Sequence, residues 1–504
     1  MAEEKQAQAA EAQAAEEATL LDQIVQEGRM LRASDAENSD KRNKAKDLLS
    51  EYVERIQKEH EASDAPSQKD TVSAIEQWIA KIDEQLSSQM NEILHHPKFQ
   101  EMEARWRGLH YLVYNTETSK RLKLRVMCAT KMEIKKDLEN APEFDQSQLF
   151  KKVYEEEYGT FGGNPYGMLV GDYDFGPSPW EVKMLQGIAG VASAAHAPFI
   201  AAAGPDLFDM DSFTQLSDPR DLEKGFESSD FADWRSFRRS EDSRYVTLTM
   251  PRMLLRLPYG EKTQPIEEFK LEEEVTGSQH DRYLWGNSAY GLAARITDAF
   301  AKHAWCAAIR GVEGGGLVEN LPAHSFPTEE GEKALKTPTE IAITDRREKE
   351  LDNLGFIALC HHKGENYACF FGGQTTHQPD VEFDTDLARA NARIAARLPY
   401  VLAASRFAHY LKVICRDKIG SFQSKQSISL YLNRWIQQYV LATDDAGQSL
   451  KAKYPLREAR IDVTEVAENP GAYRAVVFLR PHFQLEELTA SLRMVAELPP
   501  PAAA

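Results

Sequence analysis

The chain has 504 residues, 42% of them hydrophobic, and its 60 basic against 79 acidic side chains give a net charge of −19. That acidity argues against a nucleic-acid-binding protein, which needs a basic surface to displace counterions from phosphates. Five cysteines without CxxC spacing suggest neither a disulfide framework nor a zinc ribbon, and they fit a reducing compartment.

Residues 1–18 contain no aromatic or branched aliphatic side chain, so they are predicted to be a flexible tail. They also lack the apolar stretch of a signal peptide, and no segment of the sequence predicts a membrane span. Directly after the tail, one side of a short predicted helix is apolar; it carries Leu20, Leu21, Ile24 and Val25. This patch either docks on its own domain or serves as an accessible recognition peptide.

Helical periodicity continues to about residue 115. After a helix over Lys41 to Glu61, a second helix places apolar residues at alternating spacings of three and four, which suits packing along another helix: Val72, Ile75, Ile79, Ile82, Leu86 and Ile93. Pro97 ends it, and a third helix follows with Phe99, Met102, Trp106, Leu109 and Val113. These helices either pack only on one another or need a partner chain.

The pattern then changes to short apolar strands alternating with helices. Helices are predicted over Gln148–Tyr158 and Trp180–Ala195, and strands over Lys123–Ala129, Tyr166–Gly171, Pro198–Ala203, Tyr245–Thr249, Trp305–Ile309, Glu340–Ile343, Phe356–Cys360 and Tyr367–Phe371. This order predicts a parallel sheet covered on both faces. The acidic stretch from Pro258 to Asp281 is predicted to be an exposed excursion.

The longest segment that must be buried runs from Arg389 to Phe422, with a short helix to Arg397 and a longer one from Pro399 to about Lys418. Its basic residues, Arg406, His409, Lys412 and Arg416, form one narrow stripe that meets either an acidic partner or solvent and internal partners. After a helix over Ser424–Leu441, a β-hairpin is predicted with a turn at Asn469 to Gly471, followed by a terminal helix over Gln484–Val495. The strands are Ala459–Ala467 and Tyr473–Leu479.

Acidic residues follow two predicted strands, where α/β sheets bind ligands: Asp172, Asp174, Asp206, Asp209 and Asp211. Paired carboxylates at such a place suit a magnesium ion. A phosphotransferase DxD motif, however, needs a hydroxyl residue where this chain has Gly176, so loop capping is the favoured interpretation.

Two further motifs resemble known sites. Gly311 to Gly316 follows a predicted strand but lacks the Lys-Ser/Thr pair of a phosphate-binding loop, which favours a simple turn. Five residues are of types that bind metal ions, namely Cys360, His361, His362, Cys369 and His377. Cys360 and His361 are adjacent on a predicted strand, so their side chains would point to opposite faces, which argues against a shared metal site. The hydrolase signatures GxSxG and HExxH are absent from the sequence.

Several unbroken stretches together resemble the large sheath subunit of bacterial type VI secretion systems, the TssC/VipB family. They are His96–Val113, Tyr283–Pro322, Arg389–Phe422 and Asn469–Pro499, and the resemblance extends from Leu20 to Pro499. It implies a contractile, phage-tail-like sheath fold of mixed α/β class, with a largely parallel central sheet, helices on both faces, an N-terminal helical subdomain and a C-terminal hairpin plus helix. The expected regions are 1–18, 19–115, 116–420 and 421–504.

The resemblance implies a structural protein without a cofactor, located in the bacterial cytoplasm. Its expected partners are a small sheath subunit of the TssB/VipA type, further copies of itself in hexameric helical rings, the Hcp tube, a baseplate and a ClpV-type AAA+ ATPase. The ATPase would bind the helix with Leu20, Leu21, Ile24 and Val25. The small subunit would bind the row Val72, Ile75, Ile79, Ile82 and Leu86. Strands joining protomers would carry Ile461, Val463, Val466, Tyr473, Val476 and Phe478.

Two other classes compete with the sheath hypothesis. One is a metal-dependent α/β enzyme that uses the aspartates after the strands, and the other is a monomeric scaffold. Coexpression with a small subunit separates them, since only a sheath protein would form hollow tubules.

Overall fold

The computed structural model describes residues 43–44, 46–48, 50–51 and 69–484, apart from 268, 278, 328–332, 380–385, 422–423, 444 and 467–471. The chain divides between Gln85 and Leu86 into two compact units. In the first unit the described residues are helical. The second unit holds the sheets, and its architecture follows.

The longer helices are α1 (Lys69–Leu94), α2 (Pro97–Tyr114), α3 (Lys131–Asn140), α4 (Pro179–Ala195), α5 (Ala232–Arg239), α6 (Ala289–His303), α7 (Asp345–Asn353), α8 (Asp386–Ala395), α9 (Leu398–Lys418) and α10 (Lys425–Ile436). Short helices span Gln148–Phe150, Leu222–Phe226 and Gln448–Lys453, and Lys151–Gly159 is a π-helix. Proline stands in the first turn of α2, α4 and α9, where its missing N–H has no helical partner to lose. Thr130 and Glu133 form a capping box on α3.

The strands are β1 (Leu169–Phe175), β2 (Phe199–Ala203), β3 (Val246–Met250), β4 (Met253–Leu254), β5 (Trp285–Gly286), β6 (Leu317–Val318), β7 (Ser325–Pro327), β8 (Lys333–Leu335), β9 (Phe356–His361), β10 (Ala368–Phe370), β11 (Leu456–Glu465) and β12 (Tyr473–Pro481). The central sheet has the order β1-β2-β3-β9-β10-β6. Its first four strands are parallel, with Leu248 opposite Phe356 in the register of β3 and β9. Strands β10 and β6 are antiparallel, so the predicted, largely parallel sheet is confirmed.

Helices cover both faces of this sheet, as predicted. Alternate residues of one strand point to opposite faces, and in β2 Ala201 packs in the core formed with α4 while Ile200 packs in the core formed with α6. Strand β9 divides in the same way between Phe356 and Ile357. Because both faces are buried, the strands are continuously apolar in sequence.

A third core joins α9 and α10 to the hairpin of β11 and β12. Its centre is Phe407 of α9, which is fully buried and stacks on Trp305 with ring centroids 4.4 Å apart. Ile436 and Ile461 pack into the same cluster. The predicted helix from Pro399 to Lys418 is confirmed, and its N-terminal half is the buried part.

Three predicted strands are wrong: Lys123–Ala129, Trp305–Ile309 and Glu340–Ile343 lie outside the named strands. These segments were predicted as strands because their residues favour extended backbone on a half-buried surface. A strand also needs a second strand to pair with, and residue preference does not show whether one is present. Ala129, for example, accepts a hydrogen bond from the Tyr173 hydroxyl (2.6 Å) and takes no place in a ladder with β1. Trp305 is used by the third core.

The stretch from Pro258 to Asp281 is less exposed than predicted, because Leu271 and Glu273 are buried. Asn91 of α1 holds it by donating to the carbonyl of Glu272 (2.9 Å) and accepting from the amide of Glu274 (2.9 Å). Some polar residues of this stretch are therefore buried and hydrogen-bonded, so its polar sequence did not mean that all of it is exposed. The predicted hairpin turn and residues 485–495 of the terminal helix lie outside the described residues. No helix in the described part of the chain is long and apolar enough to cross a bilayer.

Candidate assembly surfaces

The carboxyl end of the central sheet brings three of the five predicted aspartates to one cavity of about 570 Å³, namely Asp172, Asp174 and Asp211. Asp206 and Asp209 do not line it. The same cavity is lined by basic residues: Arg252 donates to Asp174 (Nη2 to Oδ2, 2.5 Å), and Arg105 lies 4.0 Å from Asp172. These carboxylates thus have basic neighbours within the chain.

Burial raises the pKa of Asp172 and of Asp206, and nearby carboxylates add to both shifts. Across the described ranges, no group of three His, Cys, Asp or Glu side chains is arranged to hold a metal ion. The arrangement supports loop positioning and charge pairing. It offers no coherent set of catalytic groups.

The possible metal ligands and the glycine-rich stretch each have a structural explanation. Cys360 and Cys369 face each other across β9 and β10, and burial raises the pKa of the Cys369 thiol to about 12, so this thiol is protonated and a poor metal ligand. His377 lies 3.0 Å from the hydroxyl of Ser243. Gly311 and Gly315 have φ of +74° and +88°, which confirms a turn that only glycine adopts easily.

The basic stripe of α9 contacts the protein itself. His409 is buried and its Nε2 lies 2.8 Å from the carbonyl of Ala195, while Arg416 donates to the carbonyls of Tyr158 and Thr160, both at 3.0 Å. Lys412 lies 3.5 Å from the ring centroid of Tyr158. The sequence left open whether this stripe meets an acidic partner or solvent and internal partners. For His409, Lys412 and Arg416 the contacts are internal.

By contrast, the apolar row of α1 is exposed. Ile79, Ile82 and Leu86 have 53%, 46% and 41% of their surface accessible, and Ile93, further along, has 50%. Val72 and Ile75 lie on the same helix, but their side chains are outside the described set. Within the second unit, Ser87, Asn91 and Leu94 are buried, so this end of α1 buries one side of the helix and leaves Leu86 and Ile93 accessible.

Helix α2 carries a second exposed apolar row, which the sequence analysis did not identify as a surface. The sequence predicted a helix marked by the apolar residues Met102, Trp106 and Val113, and in the structure these are 49%, 66% and 43% exposed, while Tyr114 is 77% exposed. Leu112 is the apolar residue that this helix buries fully. The available signal was an apolar set covering more of α2 than one buried side needs.

The hairpin divides the six predicted residues between two faces. Ile461 and Val463 are buried against the chain's own α10, and Tyr473 packs partly against the same core. Val466, Val476 and Phe478 are 36%, 44% and 52% exposed. The outward face therefore keeps apolar side chains available. Leu20, Leu21, Ile24 and Val25 lie outside the described residues.

Comparison with known proteins gives two family matches that together cover most of the chain. Residues 76–377 match the VipB family model described as EvpB/VC_A0108, tail sheath N-terminal domain. Residues 387–498 match the model described as EvpB/VC_A0108, tail sheath gpW/gp25-like domain. A curated relative, the type VI secretion system sheath protein TssC1 of Pseudomonas aeruginosa, is 52% identical over 433 residues, which is 85% of this chain and 87% of the relative.

Solved structures give weaker similarity. The helical sheath of the anti-feeding prophage in its contracted state matches with a TM-score of 0.32 and 12% identity, over 61% of this chain and 66% of that chain. The baseplate of the same particle matches with a TM-score of 0.32 and 12% identity, over 62% and 66%.

An α/β body with exposed apolar rows, matched along its length by tail sheath models, defines a structural sheath protein and not an enzyme. More particularly, this chain belongs to the VipB family of type VI secretion sheath proteins, and it is a large sheath subunit of that system. The family expected from the sequence is confirmed. The region boundaries at residues 18, 115 and 420 stay predictions.

Proposed function

We propose that this chain pairs with a small sheath subunit of the TssB/VipA type in the bacterial cytoplasm. The pairs assemble on a baseplate as hexameric rings stacked helically around an Hcp tube, and contraction ejects the tube. The observation that supports pairing is the row on α1, where Ile79, Ile82 and Leu86 are exposed although each is apolar. Burying such a row against another helix gives the main favourable free energy of association.

The pairing is tested by the double variant Ile79→Asp and Ile82→Asp, coexpressed with the small subunit. Two charges placed without partners in an apolar interface cost several kcal/mol, so we expect the small subunit to be lost on purification. The control is Gln77→Asp with Ser88→Asp, which adds the same charge at exposed polar positions of α1. Copurification of the Ile79, Ile82 variant at the level of the control would refute the interface.

Tubule formation tests the assembly as a whole. Wild-type chain coexpressed with the small subunit should form long hollow tubules in negative-stain micrographs. A uniform globular particle would refute the proposal and favour a monomeric scaffold.

We further propose that Leu20, Leu21, Ile24 and Val25 bind the N-terminal domain of a ClpV-type ATPase after contraction. A helix that is hidden before contraction has an apparent affinity lowered by the fraction exposed, which would restrict recycling to spent sheaths. The variant Leu21→Ser with Ile24→Ser should assemble and contract once, then accumulate as contracted sheath in live imaging. Normal recycling with normal pulldown of the ATPase domain would show that the helix packs on its own protein.

A further inference from the structure

Strands β9 and β10 of the central sheet bring two cysteines together. Cys360 and Cys369 lie directly opposite each other in this antiparallel pair, and both are free thiols. Residues directly opposite one another in a ladder point to the same face of the sheet. The two thiols are therefore neighbours, although they belong to different strands.

The neighbouring residues establish the face to which the thiols point. Leu359 and Phe370, which are also opposite each other, pack in the core formed with α6. Side chains alternate along a strand, so Cys360 and Cys369 point to the other face, where Cys360 packs in the core formed with α4. Both cysteines are buried there, with 8% and 3% of their surface accessible.

The hydrogen bonds of the ladder set the distance between the two cysteines. Phe370 accepts from the amide of Gly311 (2.7 Å) and donates to the carbonyl of Gly316 (3.0 Å), so its backbone groups point away from β9. Because hydrogen-bonded and non-hydrogen-bonded pairs alternate, Cys360 and Cys369 form a hydrogen-bonded pair, with Cα atoms about 5.5 Å apart. Disulfides span Cα distances of about 4.4 to 6.8 Å. The backbone therefore already has the separation that a disulfide needs.

The side chains of such a pair are less well placed than the backbone. In a hydrogen-bonded pair the Cβ atoms lie about 5.5 Å apart, whereas a disulfide holds them at about 3.5 to 4.5 Å. Closing the bond would draw the two strands together by about 1 Å and leave the bond strained. Strained disulfides are reduced easily and are typical of reversible redox sites.

Burial protects both thiols while the sheet is closed. It raises the pKa of Cys360, where Glu348 adds to the shift, and it raises the pKa of Cys369 to about 12, where the amide of Gly311 opposes the shift. Cys369 therefore ionises more readily than Cys360, although slowly at neutral pH. Strand β10 has three residues and its outer neighbour β6 has two, so few ladder hydrogen bonds must break to expose the pair.

We propose that Cys360 and Cys369 form a reversible disulfide that fastens β10 to β9 when the chain meets an oxidising small-molecule disulfide. The Cys369 thiolate attacks one sulfur of that molecule and releases a first thiolate. The Cys360 thiolate then attacks the Cys369 sulfur of the mixed disulfide and releases a second. Two protein thiols and one external disulfide thus give one protein disulfide and two small thiols. The inference is independent of the proposed sheath assembly.

Oxidation by glutathione disulfide tests the pair in the full-length chain. Cys128→Ser, Cys306→Ala and Cys415→Ser leave only the two opposed thiols. After oxidation at pH 8 the reaction is quenched with acid, and the chain is unfolded, labelled with N-ethylmaleimide and weighed by mass spectrometry. We expect a chain two hydrogens lighter that takes up no label, and dithiothreitol should restore two labels. Two labels after prolonged oxidation, or a stable glutathione adduct on each cysteine, would overturn the inference.

A matched control moves one thiol to the opposite face of the sheet. Ala368→Cys with Cys369→Ser keeps a second cysteine on β10 but directs it to the core formed with α6. We expect its disulfide with Cys360 to form at least a hundredfold more slowly. Equal rates in the two chains would show that chain flexibility brings the thiols together, and would overturn the assignment to the register of β9 and β10.

Hydrogen exchange measures the effect of the bond without the control variant. In the chain that keeps only the two opposed cysteines, oxidation should slow exchange of the Cys369 amide, which points to β9, at least tenfold. The amide of Glu139 in α3 should exchange at the same rate in both forms. An unchanged Cys369 amide in the oxidised chain would show that the disulfide does not fasten β10, and would overturn the inference.

Discussion

Charged side chains and apolar side chains of this protein differ in how far the fold itself provides their partners. Charged groups of the second unit are paired within the chain, whereas the apolar rows on α1 and α2 are exposed to solvent. Arg256 is buried between Glu103 (2.8 Å) and Glu273 (2.6 Å), and the basic stripe of α9 bonds to neighbouring backbone. Ile79 and Trp106, which would gain most from burial, are more than half exposed. In the described residues, these charged side chains are paired within the fold, while apolar side chains on α1 and α2 are accessible.

The largest expected effect on stability comes from breaking the buried charge network. Arg256→Met should lower the free energy of unfolding by about 3 to 5 kcal/mol, because Glu273, with 1% of its side chain exposed, would lose its main cationic partner. Urea denaturation followed by tryptophan fluorescence measures the loss. Arg282→Met is the control, since its partner Glu274 is 73% exposed and the pair is worth less than about 1 kcal/mol. Equal effects from both variants would contradict the contrast.

A smaller effect is expected from acid at His409. Burial lowers its pKa from 6.5 to about 4, so the folded protein keeps this imidazole neutral while the unfolded chain takes up a proton below pH 6.5. This contribution to stability is complete above pH 6.5 and is lost as the pH falls towards 4. Between pH 7 and 5 the loss is roughly 2 kcal/mol.

The measurement compares urea denaturation of wild type and His409→Gln at both pH values. The glutamine can still donate to the carbonyl of Ala195 but does not titrate. We expect the variant to lack roughly 2 kcal/mol of the pH dependence seen in wild type. Identical pH dependence in the two proteins would show that His409 is not the titrating group.

The smallest effect on stability is expected from the exposed row of α2. Met102→Ser with Trp106→Ser should change the free energy of unfolding by less than about 0.5 kcal/mol, because neither side chain is packed in a core. The same variant should weaken an assembly contact at least tenfold, as exposed tryptophans often dominate interfaces. Pulldown with the small subunit and tubule yield measure this, with Glu101→Ser as the polar control. A large loss of stability without loss of assembly would place this row in the fold itself.

The inner strands and long helices were predictable because their signal is local. Phe199–Ala203 and Phe356–His361 are continuously apolar since both faces of the sheet are covered, and the helix beginning at Pro399 is marked by proline and by burial on most sides. The turn at Gly311 was equally local, because positive φ favours glycine. Long ordered runs of residues also identified the sheath family.

Which surfaces remain exposed was not predictable in this way. The apolar set predicted for α2 contains both Leu109, which packs against a core, and Trp106, which is exposed. The interpretation of Lys123–Ala129 as a strand failed for a related reason, since a residue's preference for extended backbone does not supply a second strand to pair with. The row on α1 stays a predicted contact surface; the structure adds that Ile79, Ile82 and Leu86 are exposed, which the periodicity alone did not determine.

The sequence by itself determined the fold class, the covered sheet and the family, because hydrophobic period, turn residues and long matching stretches are properties of neighbouring positions. Only the tertiary structure decided that Asp172 and Asp174, which lie within the C-terminal part of β1, have basic neighbours. It also decided that the α9 stripe is bonded internally and that Asn433 and Gln437 reach the edge of β11. Each of these depends on distances between residues remote in the chain: Arg252 lies 78 positions from Asp174, and Asn433 lies 28 from Ile461. Such distances follow from packing and are not encoded by spacing along the sequence.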